Sequence, residues 1–234
     1  MLKLGEQDIA GLYVGGTKIK KAYLGETLVF SAEKNPPRLP EGYTELQYIE
    51  RLSAVNGYMN IPYTGTNPTI RVILDIEPTG GTIGTSYYLL YSSVSSQGKI
   101  SSFNITAANQ TNIAVASLSS AGGGGTTNIP VANVMGRMLI DVDIKNKVAS
   151  INEGTPVSIR TASMYNFNTG ILVPANGTAQ FIGKLYSLKI YYDGVLAEEY
   201  VPAINPSGYI GLFGLVNEAF VGQSGTSFTA GPAV

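Results

Sequence analysis

The chain has 234 residues, 44% hydrophobic and 13% charged, with a net charge of −1. That is the make-up of a folded globular protein of one large domain, with room for a small appendage, and it offers no basic field to nucleic acid or to an anionic membrane. Cysteine, histidine and tryptophan are all absent, which removes disulfides, thiolate nucleophiles, cysteine-type zinc sites, the Ser-His-Asp triad and the imidazole base together. Any catalysis would rest on carboxylates, lysines or tyrosines; the expectation is no enzyme, no cofactor and no metal.

The first ten residues, MLKLGEQDIA, lack the apolar core of a signal peptide. Leu12 to Phe30 then states one pattern twice, Tyr13-Val14-Gly15-Gly16-Thr17 and Tyr23-Leu24-Gly25-Glu26-Thr27. Each glycine pair or Gly-Glu supplies the positive φ of a two-residue hairpin turn. A three-stranded meander is expected, roughly 8–14, 17–24 and 27–31. Cross-strand partners share a face, so one face collects Leu12, Val14, Ile19, Tyr23, Leu28 and Phe30. Some thirty residues are too few to cover such a face themselves; it is a candidate attachment or oligomer interface. Lys18, Lys20 and Lys21 read as a solvated edge.

SAEKNPPRLP, residues 31–40, is a stiff proline-rich connector. The expected organisation is a meander over 1–31, a linker over 32–40 and one large unit over 41–234. Within that unit TIRVILDIE (69–77) alternates as a strand does. RMLIDVDIKNKVASI (137–151) reads as a hairpin about Lys145-Asn146-Lys147. FIGKLYSLKIYY (181–192) is one long strand or two, with a type I′ turn at Asp193-Gly194. Leu46 to Ser53 gives the one helical hint. Ala107 to Asn133, rich in Asn, Ser, Thr and Gly, reads as a flexible surface loop; its four glycines lack the Gly-Lys-Ser/Thr that a phosphate loop needs. Tyr209 to Val216 is too short to cross a bilayer. Short strands and turn residues in succession, without an amphipathic helix, make an antiparallel sandwich.

Two stretches carry a resemblance. LPEGYTELQYIER (39–51) resembles the opening, and the stretch from Tyr186 to Val234 the end, of a β-sandwich domain found in phage tail and fibre proteins and in surface proteins of Gram-positive bacteria. The matches at the end are Gly211-Leu212-Phe213, Val216-Asn217, Phe220, Gly225-Thr226 and Gly231-Pro232. Gly214-Leu215 stands where aspartate is usual, and Val221 where tyrosine is. The resemblance implies a concanavalin or laminin-G type jelly roll. The first thirty residues resemble N-terminal segments of virion proteins from phages of Gram-positive hosts, which implies a particle-attachment module.

Asp75 with Glu77, and Asp141 with Asp143, lie two apart on a strand, a spacing compatible with glycoside hydrolysis and equally with a solvated strand face. Sugar recognition needs aromatic faces and polar edges, and tyrosine supplies both. Tyr87 and Tyr91 in SYYLLYSS, with Tyr165, Asn166 and Asn168 in YNFN, are the candidate glycan-binding residues; packing within a jelly-roll core is the alternative for the tyrosines. The expectation is a phage virion protein of fibre, head-decoration or tail-tip type, located in the particle and released by lysis. Its partners would be other virion proteins through the N-terminus, copies of itself with a trimer favoured, and a glycan, with no nucleic acid and no membrane insertion. A bacterial surface adhesin and a carboxylate-based glycan-degrading enzyme are the alternatives.

Overall fold

The structure is a computed structural model and describes residues 3–4, 7–8, 12–14, 17–19, 21–24, 27–31, 38–52, 58–62, 70–80, 88–96, 99–119, 124–160, 169–172, 182–225 and 228–234. The chain divides into two compact units, Met1–Pro40 and Glu41–Val234.

The first unit holds β1 (Lys3–Leu4), β2 (Gln7–Asp8), β3 (Leu12–Val14), β4 (Thr17–Ile19), β5 (Lys21–Leu24) and β6 (Thr27–Ser31). They pair antiparallel as β1-β2, β3-β4 and β5-β6. The registers Leu12–Ile19, Val14–Thr17, Tyr23–Leu28 and Leu24–Thr27 are those the turn chemistry dictates. Two details differ from expectation. Among the described residues there are three two-stranded ladders in place of one three-stranded meander, because 17–24 is two strands. A bulge also lies between Ala22 and Tyr23, where Ala22 pairs with Phe30 and Tyr23 with Leu28. Val29 is the extra residue, and the register of Phe30 is shifted by one from even alternation.

The second unit holds β7 (Thr44–Glu45), β8 (Ile49–Arg51), β9 (Met59–Pro62), β10 (Ile70–Gly80), β11 (Tyr88–Ser96), β12 (Lys99–Asn109), β13 (Asn112–Ser119), β14 (Gly124–Pro130), β15 (Met138–Asp143), β16 (Val148–Ile151), β17 (Val157–Ser158), β18 (Thr169–Leu172), β19 (Ile182–Tyr192), β20 (Val195–Ile204), β21 (Ile210–Gly214), β22 (Ala219–Gly222) and β23 (Phe228–Ala230). It is the expected all-β antiparallel sandwich. One sheet runs β17-β16-β15-β10-β19-β20-β21-β22, with β8 joining β19 to β23 and β7 on β20. The other runs β14-β13-β12-β11-β18-β9.

The alternation read in TIRVILDIE becomes β10, whose Ile70, Val72, Leu74 and Ile76 are buried while Arg71, Ile73, Asp75 and Glu77 look outward. They pack with Ile140 and Leu185 of the same sheet against Ile61, Ile105 and Ile113 of the other, in one continuous core. Burying a side chain of this size contributes about 1.5–3 kcal/mol. Asp193 (φ 50°) and Gly194 (φ 83°) make the two-residue turn with both positive φ values that a type I′ hairpin requires.

Two readings are corrected. Ala107 to Asn133 is mostly strand: the end of β12, all of β13 and β14, and one tight turn whose Asn109 Oδ1 accepts the Thr111 amide at 2.9 Å. Its polar residues conceal buried Ile113, Val115 and Ile129, and strand pairing overrides the weak local propensity. Leu46 to Ser53 shows no helix among its described residues, 46–52. Leu46 bridges to Ala233 and β8 is clasped between β19 and β23, with Ile49 and Arg51 buried on alternate positions.

The two stretches that carry the family resemblance meet in space. Tyr43 lies edge-on to Phe213 at 4.9 Å and 6.0 Å from Phe220, Leu46 N donates to Pro202 O, and Gly231 N donates to Tyr48 O.

Candidate functional site

The glycan-binding candidates Tyr87, Tyr165, Asn166 and Asn168 lie outside the described residues. Tyr91 sits in β11 at the register position between Asn104 and Ile171. The interface candidates Leu12, Val14, Ile19, Tyr23, Leu28 and Phe30 occupy the ladders above.

A different constellation stands on the outer face of the larger sheet, and a β-bulge builds it. Asp75 pairs with Ser187 and Ile76 with Leu185, so Tyr186 is the extra residue of β19. Both Tyr186 and Ser187 consequently look outward, between buried Leu185 and Leu188. Bulges re-aim side chains in this way, often beside functional sites.

Tyr186 is fixed on three sides. The Arg137 guanidinium stacks over its ring at 3.8 Å, Tyr48 meets it edge-on at 5.5 Å, and its hydroxyl donates to Glu77 Oε2 at 2.5 Å. Arg137 in turn donates to both Asp75 oxygens, at 3.0 and 2.8 Å, the fork geometry that gives arginine–carboxylate pairs their directionality. Lys184 Nζ stands 3.4 Å from Glu77 Oε2 and 5.0 Å from the Tyr48 ring centre. Gly231 makes room for Tyr48, since a Cβ there would lie 2.7 Å from the ring. Further along the same face Arg71 grips both Asp141 oxygens, at 2.8 and 2.5 Å, and lies 5.6 Å from the Tyr191 ring.

The carboxylates singled out by spacing are therefore engaged. Asp75 holds Arg137, Glu77 holds Tyr186 and Lys184, Asp141 holds Arg71, and Asp143 caps the following turn by accepting from Asn146 N and Nδ2. Spacing along one strand found the acids; the partners of Asp75, Glu77 and Asp141 come from 60 or more residues away, and that of Asp143 from the adjoining turn.

A cleft of about 260 Å³ adjoins this face and shares Arg137 with it. Its wall is the segment from Pro130 to Met138, and Ile151 and Asn152 close the other side. The wall is pinned by Val131 N to Thr111 O, Val134 N to Gln110 O and Gly136 N to Pro78 O. Gly136, with φ 126°, occupies a conformation that a side chain resists. Asn133 Oδ1 accepts Met135 N and Asn152 Oδ1 accepts Leu139 N, which leaves the Nδ2 groups as the donors these amides offer. Among the described residues no group of three acidic side chains is placed to hold a metal.

The Tyr186–Glu77 bond has a pH signature. Glu77 is held below its ordinary 4.5, first by the Tyr186 hydroxyl and then by Lys184. Its stabilising contribution is present above pH 4.5 and is lost as pH falls through the depressed value. Tyr186 is pushed up to about 12, first by burial and then by Glu77. That contribution is full below pH 10 and is lost as pH rises toward 12. Tyr186→Phe is expected to flatten the stability curve in both windows, read by urea unfolding at pH 3, 7 and 11; curves parallel to the parent would refute the assignment.

No family model and no curated protein matches the sequence. Among solved structures, the fold is similar to a native heptameric SAP-like pentraxin from Limulus polyphemus, with 11% identity and a TM-score of 0.42 over 63% of this chain and 76% of that one. It is also similar to Scytalido-glutamic peptidase bound to a peptide-based transition-state analogue, with 10% identity and a TM-score of 0.32 over 78% and 100% of the two chains.

Proposed function

We propose that the protein is a phage virion component of fibre, head-decoration or tail-tip type. Its Met1–Pro40 unit joins other virion proteins and further copies of the chain, a trimer being favoured. Its Glu41–Val234 sandwich attaches the particle to glycans on a host or other surface. The observation that carries the attachment reading is the outer sheet face, where tyrosines, arginines and lysines are interleaved and held by bidentate and stacking contacts. Aromatic bodies and fixed hydrogen-bond donors on a rigid sheet are what sugar recognition uses. The repeated hairpins carry the anchoring reading.

The test is retention of the full chain on immobilised cell-wall polysaccharides of Gram-positive bacteria, with a polysaccharide-free matrix as control. Binding without release of reducing ends supports an attachment module; release of reducing ends overturns it in favour of an enzyme, and no retention on any wall preparation overturns the glycan reading. Light scattering of the full chain tests self-association. A trimer that dissociates in Leu12→Lys/Leu28→Lys supports the interface, and a monomeric parent overturns it.

A further inference from the structure

We infer that the cleft at Arg137 is where the glycan is read, and that it takes a single uncharged sugar unit through hydroxyl or amide-carbonyl oxygens. This rests on the attachment reading above. Four observations point there.

First, Arg137 is in place before any ligand arrives. Asp75 takes its Nε–H and one Nη2–H, and Tyr186 fixes the plane of the guanidinium. A guanidinium has five N–H donors, so three remain on a side chain that is 57% exposed and lines the cleft. Fixing donors in advance lowers the ordering cost of binding.

Second, the charge of Arg137 is already answered. Asp75 is paired with it and Glu77 lies close enough to act on it. With Arg137 balanced by Asp75 and Lys184 by Glu77, the cluster offers no net positive charge to a carboxylate or phosphate, whereas a neutral oxygen accepts from the remaining N–H groups without needing one.

Third, the rim adds donors and the wall adds apolar surface. Asn133 and Asn152 offer their Nδ2 groups, while Val131, Met135 and Ile151 supply contact for C–H faces. Donors beside a few apolar side chains suit a polyol ring.

Fourth, the volume of about 260 Å³ falls below the roughly 300–1,000 Å³ of pockets that enclose drug-sized ligands. It fits one unit at a chain end or branch rather than a run of the polymer.

The full chain is to be titrated calorimetrically with neutral saccharides, with and without N-acetyl groups, and with uronate-, sialyl- and phosphate-bearing counterparts, at low and high NaCl. Neutral saccharides are expected to bind with an affinity that salt leaves unchanged. Arg137→Lys keeps the charge but loses the fork, and is expected to weaken binding about tenfold, the worth of one to two hydrogen bonds. Ala132→Phe puts bulk at an exposed position of the wall and is expected to abolish binding with the thermal midpoint unchanged, so the test survives if Arg137→Lys does not fold. Neutral binding that ignores both variants would place the ligand elsewhere, and a salt-sensitive preference for the anionic set would reverse the ligand class. Either outcome overturns the inference while the attachment reading stands. No binding to any saccharide overturns both.

Discussion

Gly211→Ala is expected to be the most damaging small substitution in the sandwich, lowering stability by about 3 kcal/mol or more. A Cβ at Gly211 would lie 2.2 Å from the Val221 carbonyl oxygen and 2.7 Å from Phe220 Cζ. The first is backbone in a paired strand, and the second is a ring against Tyr43, so neither yields cheaply. Overpacking a rigid site costs about 1–3 kcal/mol, and more when backbone must move. For a domain of this size 3 kcal/mol is about 6–12 °C in Tm. The internal control is its cross-strand partner, Gly222, where an added Cβ meets nothing nearer than 3.7 Å. Gly222→Ala is expected to stay within about 0.5 kcal/mol. Thermal unfolding followed by circular dichroism separates the two, and equal effects would remove the close approach as the cause.

The second large effect is expected at Glu198. It is 4% exposed, yet it is an acid on the inward side of β20 opposite buried Ile190. Its carboxylate accepts from Glu199 N at 3.0 Å, Val216 N at 2.7 Å, Asn217 N at 3.1 Å and Asn217 Nδ2 at 2.8 Å. One side chain thus supplies the acceptors that shape the β21–β22 turn. Glu198→Ala is expected to cost about 2–4 kcal/mol; water reaching the exposed Val216 and Asn217 amides keeps the loss from growing further. Glu198→Gln is expected to fare little better, because its NH₂ group confronts donors. Gly214 belongs to the same arrangement, since a Cβ there would lie 2.7 Å from the Glu198 carboxylate. Gly214→Ala should therefore be harmful in the parent and much less so beside Glu198→Ala. That non-additivity is measurable in a double-mutant cycle, and simple additivity would show that the two do not share a site.

The acceptor for the turn after Gly214-Leu215 comes from a glutamate on the neighbouring strand. Nothing in AEEYVP marks which of Glu198 and Glu199 is the buried one. Only the bulge between Ile190 and Tyr191 decides it, sending Glu198 inward while Glu199 stays on the Lys189 side.

Local features of the fold were legible in the sequence, and those set by sheet order were not. The alternation of β10, the hairpin about residues 145–147 and the Asp193-Gly194 turn are local signals, and the strands follow them. The strands within 107–133 were concealed because their exposed positions are Asn, Thr and Gly, residues shared with loops. The candidate site was hidden for a different reason. Tyr48, Arg137 and Tyr186 come from three elements brought together by sheet order, and the bulge that turns Tyr186 outward leaves no mark in KLYSL. Asp75 was visible as a candidate acid, but its role as the clamp on Arg137 depends on β10 and β15 being neighbours.

The clasp of β8 by β23 bears on how the molecule comes into being. Thr229 donates to Glu50 O across 179 positions of chain, and the register runs Arg51–Phe228, Glu50–Thr229, Ile49–Ala230. Contacts of such sequence separation are slow to form, since loop closure must precede their gain. During synthesis β8 emerges long before either β19 or β23 exists to pair with it, leaving Ile49 and Arg51 with their native surroundings unbuilt. The sandwich is thus a late-closing fold, in which β23 completes the seam that β8 began.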